Sequence, residues 1–502
     1  MTTEINPLPY CTPESVGISS SDILRYLRAL ADQKYNLHSF AIIRHGKIAA
    51  EGAYAPFRIE NLHRLYSTSK SLVSIGIGML QDEGKLSIQD RIADYFPDKC
   101  PGELHPFIAE ATIRDLLRMA TPFRFTTYKT ISNPEHDWVK TFFEAEPNHK
   151  PGQVFNYDTS ATTTLCALVE RLSGMTLADY LRSKMPCMGL SPEAFCIKVP
   201  NGEFSWGGSG FLCTLHDLAK IALMTLNYGE YNGERIVSET YMREATSAQI
   251  DNGKFGYGYQ IWRHRYGFAF HGAGGQLALM FPDQDMILVT MADCSVTGYD
   301  GIIQLFYDHI LNSLKETKPE NPEDWAELLE YFQQLSVPVE KGGQQSDYTA
   351  LADGKTYTMY YNERSPQMQL KWRTLHFDFN PNQKEGTMTY TDAEGEKTLR
   401  FGFGHFVQQN FPGFATEEEM NRQGNLIYGF DRKDVKTYMP CMISAAWKSD
   451  HELSLLCYSV GTYLGTLRMR IAFEDRFVTV ISQAFCENYW MDLQGFQSGE
   501  CC

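Results

Sequence analysis

Residues 67–80 read Ser67-Thr68-Ser69-Lys70, then Ser71-Leu72-Val73-Ser74-Ile75-Gly76-Ile77-Gly78-Met79-Leu80. A serine and a lysine three residues apart stand at the head of an apolar run. On a helical turn that spacing puts both side chains on one face. The run is apolar on nearly every side, which predicts a buried central helix over Leu72–Glu83. A serine at a helix N-terminus sits where backbone N–H groups can stabilise an oxyanion. A lysine amine beside it can take the hydroxyl proton if burial and neighbours lower its pKa. The chain has no other S-x-x-K.

Working outward, residues from about Ile5 to Lys315 alternate helical and strand patterns. A serine-rich start predicts a helix over Ser19–Gln33. Ser39–Arg44 and Ile48–Tyr54 read as a hairpin around His45-Gly46-Lys47. Further helices are expected at Thr112–Met119, Thr162–Ser173, Leu177–Lys184 and Thr214–Asn227. Strands follow at Tyr257–Arg263, Phe268–Phe270, Gln276–Phe281 and Met286–Met291, then a helix near Gly301–Leu314. Strands at both ends with helices between predict one mixed sheet flanked by helices. Residues 319–345 read as a polar linker with one amphipathic helix, Trp325–Leu335. From 346 to 502 the chain is rich in Tyr, Thr, Phe and Gly in short alternating runs, which predicts an all-β barrel or sandwich. The expected organisation is 1–318, a linker over 319–345, and 346–502.

Composition narrows the function. A chain of 502 residues exceeds one ordinary domain of roughly 100–200 residues. With 45 basic against 61 acidic residues the net charge is −16, which disfavours nucleic acid and anionic membranes as partners. Leu72–Leu80 is far shorter than the roughly 20 residues of a membrane helix. Met1–Pro13 has neither the basic nor the apolar region of a secretory signal. The twelve cysteines show no C-x-x-C, so free thiols in a reducing cytoplasm are expected. Cys213-x-x-His216 reads as core, and no metal or cofactor motif is present.

Two further segments complete a possible site. Pro151–Thr159 forms a loop running into a helix, where Tyr157 can hang over the Ser–Lys pair as base or proton shuttle. Phe270-His271-Gly272-Ala273-Gly274-Gly275-Gln276 lies on a strand, where small residues permit close backbone approach and an N–H can supply half of an oxyanion hole.

In this order the three segments resemble the serine β-lactamase and penicillin-recognising superfamily, and within it the class C-like esterase and amidase branch. That family carries S-x-x-K, then Y-x-N about ninety residues later, then K-T-G or H-x-G; here Ser67 to Tyr157 is 90 and Tyr157 to His271 is 114. The resemblance covers roughly residues 10–315 and implies a β-lactamase/transpeptidase-like α/β fold with a central antiparallel sheet. It implies Ser67 as acylated nucleophile, Lys70 as its activating partner and Tyr157 as second base or shuttle. His271 takes the place of the third motif's cation, and the N–H groups of Ser67 and Gly274 form the oxyanion hole. Thr159 replaces the Asn that contacts substrate, and His271 replaces Lys, so a fixed cation is lost or made pH-dependent. Alignment after His271 is open by one residue. Gln276 is either a substrate contact or an outward strand polar. The expected activity is cleavage of a small-molecule or peptide ester or amide through an acyl-serine, without cofactor. An acyltransferase, a β-lactamase or D-amino-acid peptidase, and a silent binding protein stay open as alternatives.

Overall fold

Ser19 starts the first long helix. Its Oγ accepts the Asp22 backbone N–H at 3.3 Å and satisfies one otherwise unpaired donor of α1 (Ser20–Asp32). The helix buries Ile23, Leu24, Leu27 and Leu30, one stripe at helical spacing. The computed structural model describes residues 6–133, 135–363, 368–414, 439–461, 463–486 and 488–501. The first five residues of the N-terminal stretch and Cys502 therefore lie outside the described residues. The chain divides into two units; the described part of the first runs to Ser336 and the second begins at Val337.

The first unit is built on a six-stranded antiparallel sheet. Its strands are β1 (Leu37–Arg44), β2 (Lys47–Ala53), β3 (Trp262–His264), β4 (Gly267–Gly272), β5 (Gln276–Phe281) and β6 (Met286–Ala292), in the order β2-β1-β6-β5-β4-β3. His45 (φ 52°) and Gly46 (φ 68°) form a two-residue turn with both φ positive, which matches the strand twist and pairs Arg44 with Lys47. Of the predicted strand Tyr257–Arg263, only Trp262 and Arg263 join the sheet. Gln260, at φ 58°, turns the chain there, and its amide is drawn inward to the Leu116 and Leu117 carbonyls at 2.9 and 2.8 Å.

Helices cover the sheet. They include α2 (Ser69–Asp82), α3 (Thr159–Ser173), α4 (Leu215–Leu226), α5 (Asp300–His309) and α6 (Pro322–Gln333). Every residue of α2 from Ser69 to Leu80 is buried, as expected of a central helix, and α2 packs along α3. Helix α4 lies on β5 and β6, while α1 packs against α5 and α6. The helix expected in a linker thus joins the first unit: Arg28 pairs with Glu327 at 2.8 Å, and Phe332 meets Phe40 edge-on.

The second unit is a β-barrel. Its ten-stranded sheet closes on itself where Gly402 and Phe403 pair in parallel with Ser444 and Ala445. Alternating inward positions of Thr374–Asn380 and Glu385–Thr391 bury Leu375, Phe377, Met388 and Tyr390. Among the described residues, no helix is long and apolar enough to cross a membrane, and none of the eleven cysteines forms a disulfide.

Candidate active site

The turn that presents Ser67 is pinned from several sides. Tyr66–Thr68 forms one tight helical turn that passes directly into α2. Tyr66 has φ 50°, a left-handed conformation that costs a bulky residue about 1–3 kcal/mol. It persists because Arg64 stacks its guanidinium 4.3 Å from the Tyr66 ring while bonding the Ser209 carbonyl and hydroxyl. Thr68 donates its hydroxyl to the Gln276 carbonyl at 2.8 Å, Ser69 Oγ accepts the Phe211 N–H, and Ser71 donates to the Gln260 carbonyl. Three neighbouring hydroxyls therefore fix the turn, and that of Ser67 meets Lys70 and Tyr157.

Lys70, 1 % exposed, points its Nζ at Ser67 Oγ, 3.1 Å away, and donates to the Gly208 carbonyl at 2.5 Å. Burial draws its pKa down to about 7, against the charge of Asp158, which raises it. The amine also lies 5.1 Å from the centroid of the Tyr157 ring.

Tyr157 sits in the loop before α3 and hydrogen-bonds Ser67. Burial pushes its phenol well above the usual tyrosine range, more than the Ser67 hydrogen bond lowers it, so it remains a phenol at neutral pH. Asp158 follows as the N-cap of α3. Its buried carboxylate accepts bonds from the Thr126 hydroxyl, from Thr127 N–H and hydroxyl, and from Ser160 N–H and hydroxyl. Thr159 is the first residue of α3, with its methyl turned toward Gly208, where a Cβ would come within 2.6 Å of it. The helix thus holds Tyr157 by its cap and the Gly208 carbonyl by close packing.

The β4 side of the site differs from expectation. His271 stacks on Trp262 (centroids 6.0 Å) with Tyr299 edge-on (5.9 Å), and Trp262 in turn stacks on Tyr157 (5.4 Å). Burial drives its pKa down to about 3, with His264 and Lys254 acting in the same direction. Burial thus favours the neutral imidazole at the position that the resemblance gives to the third motif's cation. The closest backbone approach falls at Gly272, where a Cβ would meet the Leu65 carbonyl oxygen at 2.2 Å and Thr68 Oγ1 at 3.1 Å. Gly274 lies beyond the strand in a turn, at φ 75°, with its carbonyl accepting Cys294 N–H at 2.8 Å. Gln276 is neither a substrate contact nor outward. It is fully buried, its amide donates to the Ala273 and Ala292 carbonyls, and its oxygen accepts Ala292 N–H, so each end of the side-chain amide is satisfied inside the protein.

A family model described as Beta-lactamase matches residues 26–302, more than half of the chain. The chain belongs to the beta-lactamase family. It is 26 % identical over 221 residues to the 6-aminohexanoate-dimer hydrolase of Paenarthrobacter ureafaciens, covering 41 % of this chain and 55 % of that protein. The chain thus spans about half the length of this curated relative. Among solved structures, a Bacillus anthracis protein assigned as a 6-aminohexanoate-dimer hydrolase superposes with TM-score 0.50 at 19 % identity, covering 62 % of this chain and 87 % of its own. A penicillin-binding protein homologue from Pyrococcus abyssi gives 0.47 at 14 % identity, covering 96 % and 99 %.

Within this family fold, the structure brings Ser67, Lys70 and Tyr157 together. It adds three residues that sequence reasoning gave no role: Asp158, Trp262 and Tyr299. Asp158 had a usable signal, since an aspartate before Thr-Ser-Ala at a helix start is an N-cap pattern. Trp262 and Tyr299 had none, because only the sheet places β3 and the segment before α5 beside His271. Cys213 ends a short strand in the core, and His216 pairs with Glu51 at 2.7 Å.

Proposed function

We propose that this protein is a serine hydrolase that cleaves an ester or amide of a small molecule through an acyl-serine at Ser67. The observation that carries this reading is the buried Lys70 amine, 3.1 Å from Ser67 Oγ. With its pKa near 7 the amine is substantially neutral at physiological pH and has a lone pair to offer. One N–H stays on the Gly208 carbonyl, and the lone pair takes the Ser67 proton as Oγ attacks the substrate carbonyl carbon. The resulting oxyanion meets the Ser67 N–H at the head of α2 and a backbone N–H at the end of β4, just past Gly272. Collapse of the intermediate expels the alcohol or amine, which receives its proton from the Lys70 ammonium through the Tyr157 phenol. Water then attacks the acyl-serine with the same groups in reverse order and releases the acid.

Thr159 and the uncharged His271 favour esters or amides over β-lactams. Short-chain aryl esters are expected to turn over much faster than nitrocefin, and steady-state kcat/KM on both decides it. The direct test is intact-mass detection of an adduct on Ser67 after exposure to aryl esters and a phosphonate. Absence of any adduct, together with unchanged turnover in Ser67→Ala, refutes the acyl-serine.

A further inference from the structure

Arg64 lies on the two-residue strand His63–Arg64, which pairs with Phe211–Cys213 and leads into the Tyr66 turn. Its side chain is buried, and its guanidinium carbon lies 4.3 Å from the centroid of the Tyr66 ring and 4.6 Å from that of Trp206. Nε and Nη2 donate to the Ser209 carbonyl and hydroxyl at 2.9 and 3.1 Å. Trp206 and Ser209 are the two ends of one tight turn, closed by the Ser209 and Gly210 N–H groups on the Trp206 carbonyl at 3.0 and 2.7 Å. One guanidinium therefore grips both ends of this turn. Between them stands Gly208, whose carbonyl accepts the Lys70 amine at 2.5 Å. The turn is also packed too closely to shift alone: a Cβ at Gly207 would come within 2.4 Å of the Cys166 side chain. Trp206 carries the contact further. Its ring stacks on Tyr128, next to Thr127 and Thr126, whose hydroxyls donate to Asp158 beside Tyr157.

We infer that Arg64 is a positioning residue: it fixes the Ser67 turn and the Gly208 carbonyl relative to each other, so that Lys70 is aimed between its two oxygens. Those oxygens belong to segments far apart in the chain, and Arg64 touches both segments. A planar guanidinium offers faces for rings and a fork of N–H donors together, whereas a lysine keeps the charge and has no such plane. Misplacing a reacting group by about 1 Å can cost about a hundredfold in rate. This inference rests on the acyl-serine reading and adds the residue that sets its geometry.

The test follows, by intact mass, how fast and how completely an aryl phosphonate labels Ser67. In Arg64→Lys the limiting rate constant is expected to fall at least about tenfold while labelling still goes to completion. With an aryl ester, kcat should fall by a similar factor and KM should stay within about threefold. If Arg64 only held the fold together, each folded molecule would label at the wild-type rate and the final extent of labelling would fall instead; that result overturns the inference. Should Arg64→Lys fail to fold, Ser209→Ala decides, because it removes one bond of the grip and leaves the rest. It is expected to label completely but about threefold more slowly, and a wild-type rate overturns the inference. Those failures leave the acyl-serine standing, whereas a wild type that the phosphonate does not label removes both proposals.

Discussion

The two walls of the site, α2 with its preceding turn and the end of β4, are opposite in character. On the α2 side each polar group has a partner: Thr68 on Gln276, Ser69 on Phe211, Ser71 on Gln260, and Lys70 on Ser67 and Gly208. On the β4 side His271 lies among rings with an unpaired nitrogen. Burial lowers the pKa of both bases, to about 7 for Lys70 and about 3 for His271. For lysine that shift creates a base poised at working pH, whereas for histidine it removes a cation. The same desolvation leaves an amine with a lone pair on one wall and a neutral imidazole on the other.

The largest effect that can break this comparison is removal of the nucleophile. Ser67→Ala should lower kcat/KM for an aryl ester by roughly four orders of magnitude with an unchanged melting temperature. Retention of more than about a tenth of wild-type activity would show that the polar wall is not the reactive one. Next in size, Lys70→Ala and Tyr157→Phe should each cost at least about a hundredfold. In wild type, kcat/KM should rise with pH through an apparent pKa of about 7, as the Lys70 ammonium loses its proton. A Tyr157→Phe variant within about threefold of wild type at every pH would remove Tyr157 from the mechanism.

A smaller effect concerns stability in acid. His38 Nδ1 and His63 Nε2 face each other at 3.2 Å in the core, so one donates to the other as long as at least one of them is neutral. Burial holds His38 well below its ordinary range and His63 down at about 4; His264 is likewise at about 4. Unfolded, each titrates near 6.5. The unfolded chain therefore binds more protons below that pH, and stability is lost as pH falls from about 6.5 toward 4. The melting temperature should drop by several degrees between pH 7 and pH 5; a level profile would contradict the buried neutral pair. Smallest of all, Gln276→Leu should cost roughly 1–3 kcal/mol in urea unfolding, because three backbone bonds lose their partner. A loss of activity without that destabilisation would return Gln276 to the substrate.

The sequence was most legible where local rules decide the outcome. The hairpin of β1 and β2, strand β5 and the helices around Leu177–Lys184 and Thr214–Asn227 stand within a residue or two of their expected bounds. Tyr257–Arg263 failed as a strand because a left-handed Gln260, tied to the Leu116 and Leu117 carbonyls, outweighs alternation. The outward reading of Gln276 failed for a related reason. A one-residue ambiguity in a glycine-rich turn cannot be resolved without knowing which backbone atoms face which neighbours, and the close approach belongs to Gly272.

By itself the sequence determined the pairing of Ser67 with Lys70, since i,i+3 spacing at a helix start is a local fact. It also determined the order of the three motifs and, through them, the family. Only the tertiary structure decided the charges in the site. A pKa follows from how much water is excluded and which groups stand opposite, and those groups come from distant parts of the chain: Gly208 and Asp158 at Lys70, Trp262 and Tyr299 at His271. Residue type fixes what can titrate, and packing fixes whether it does.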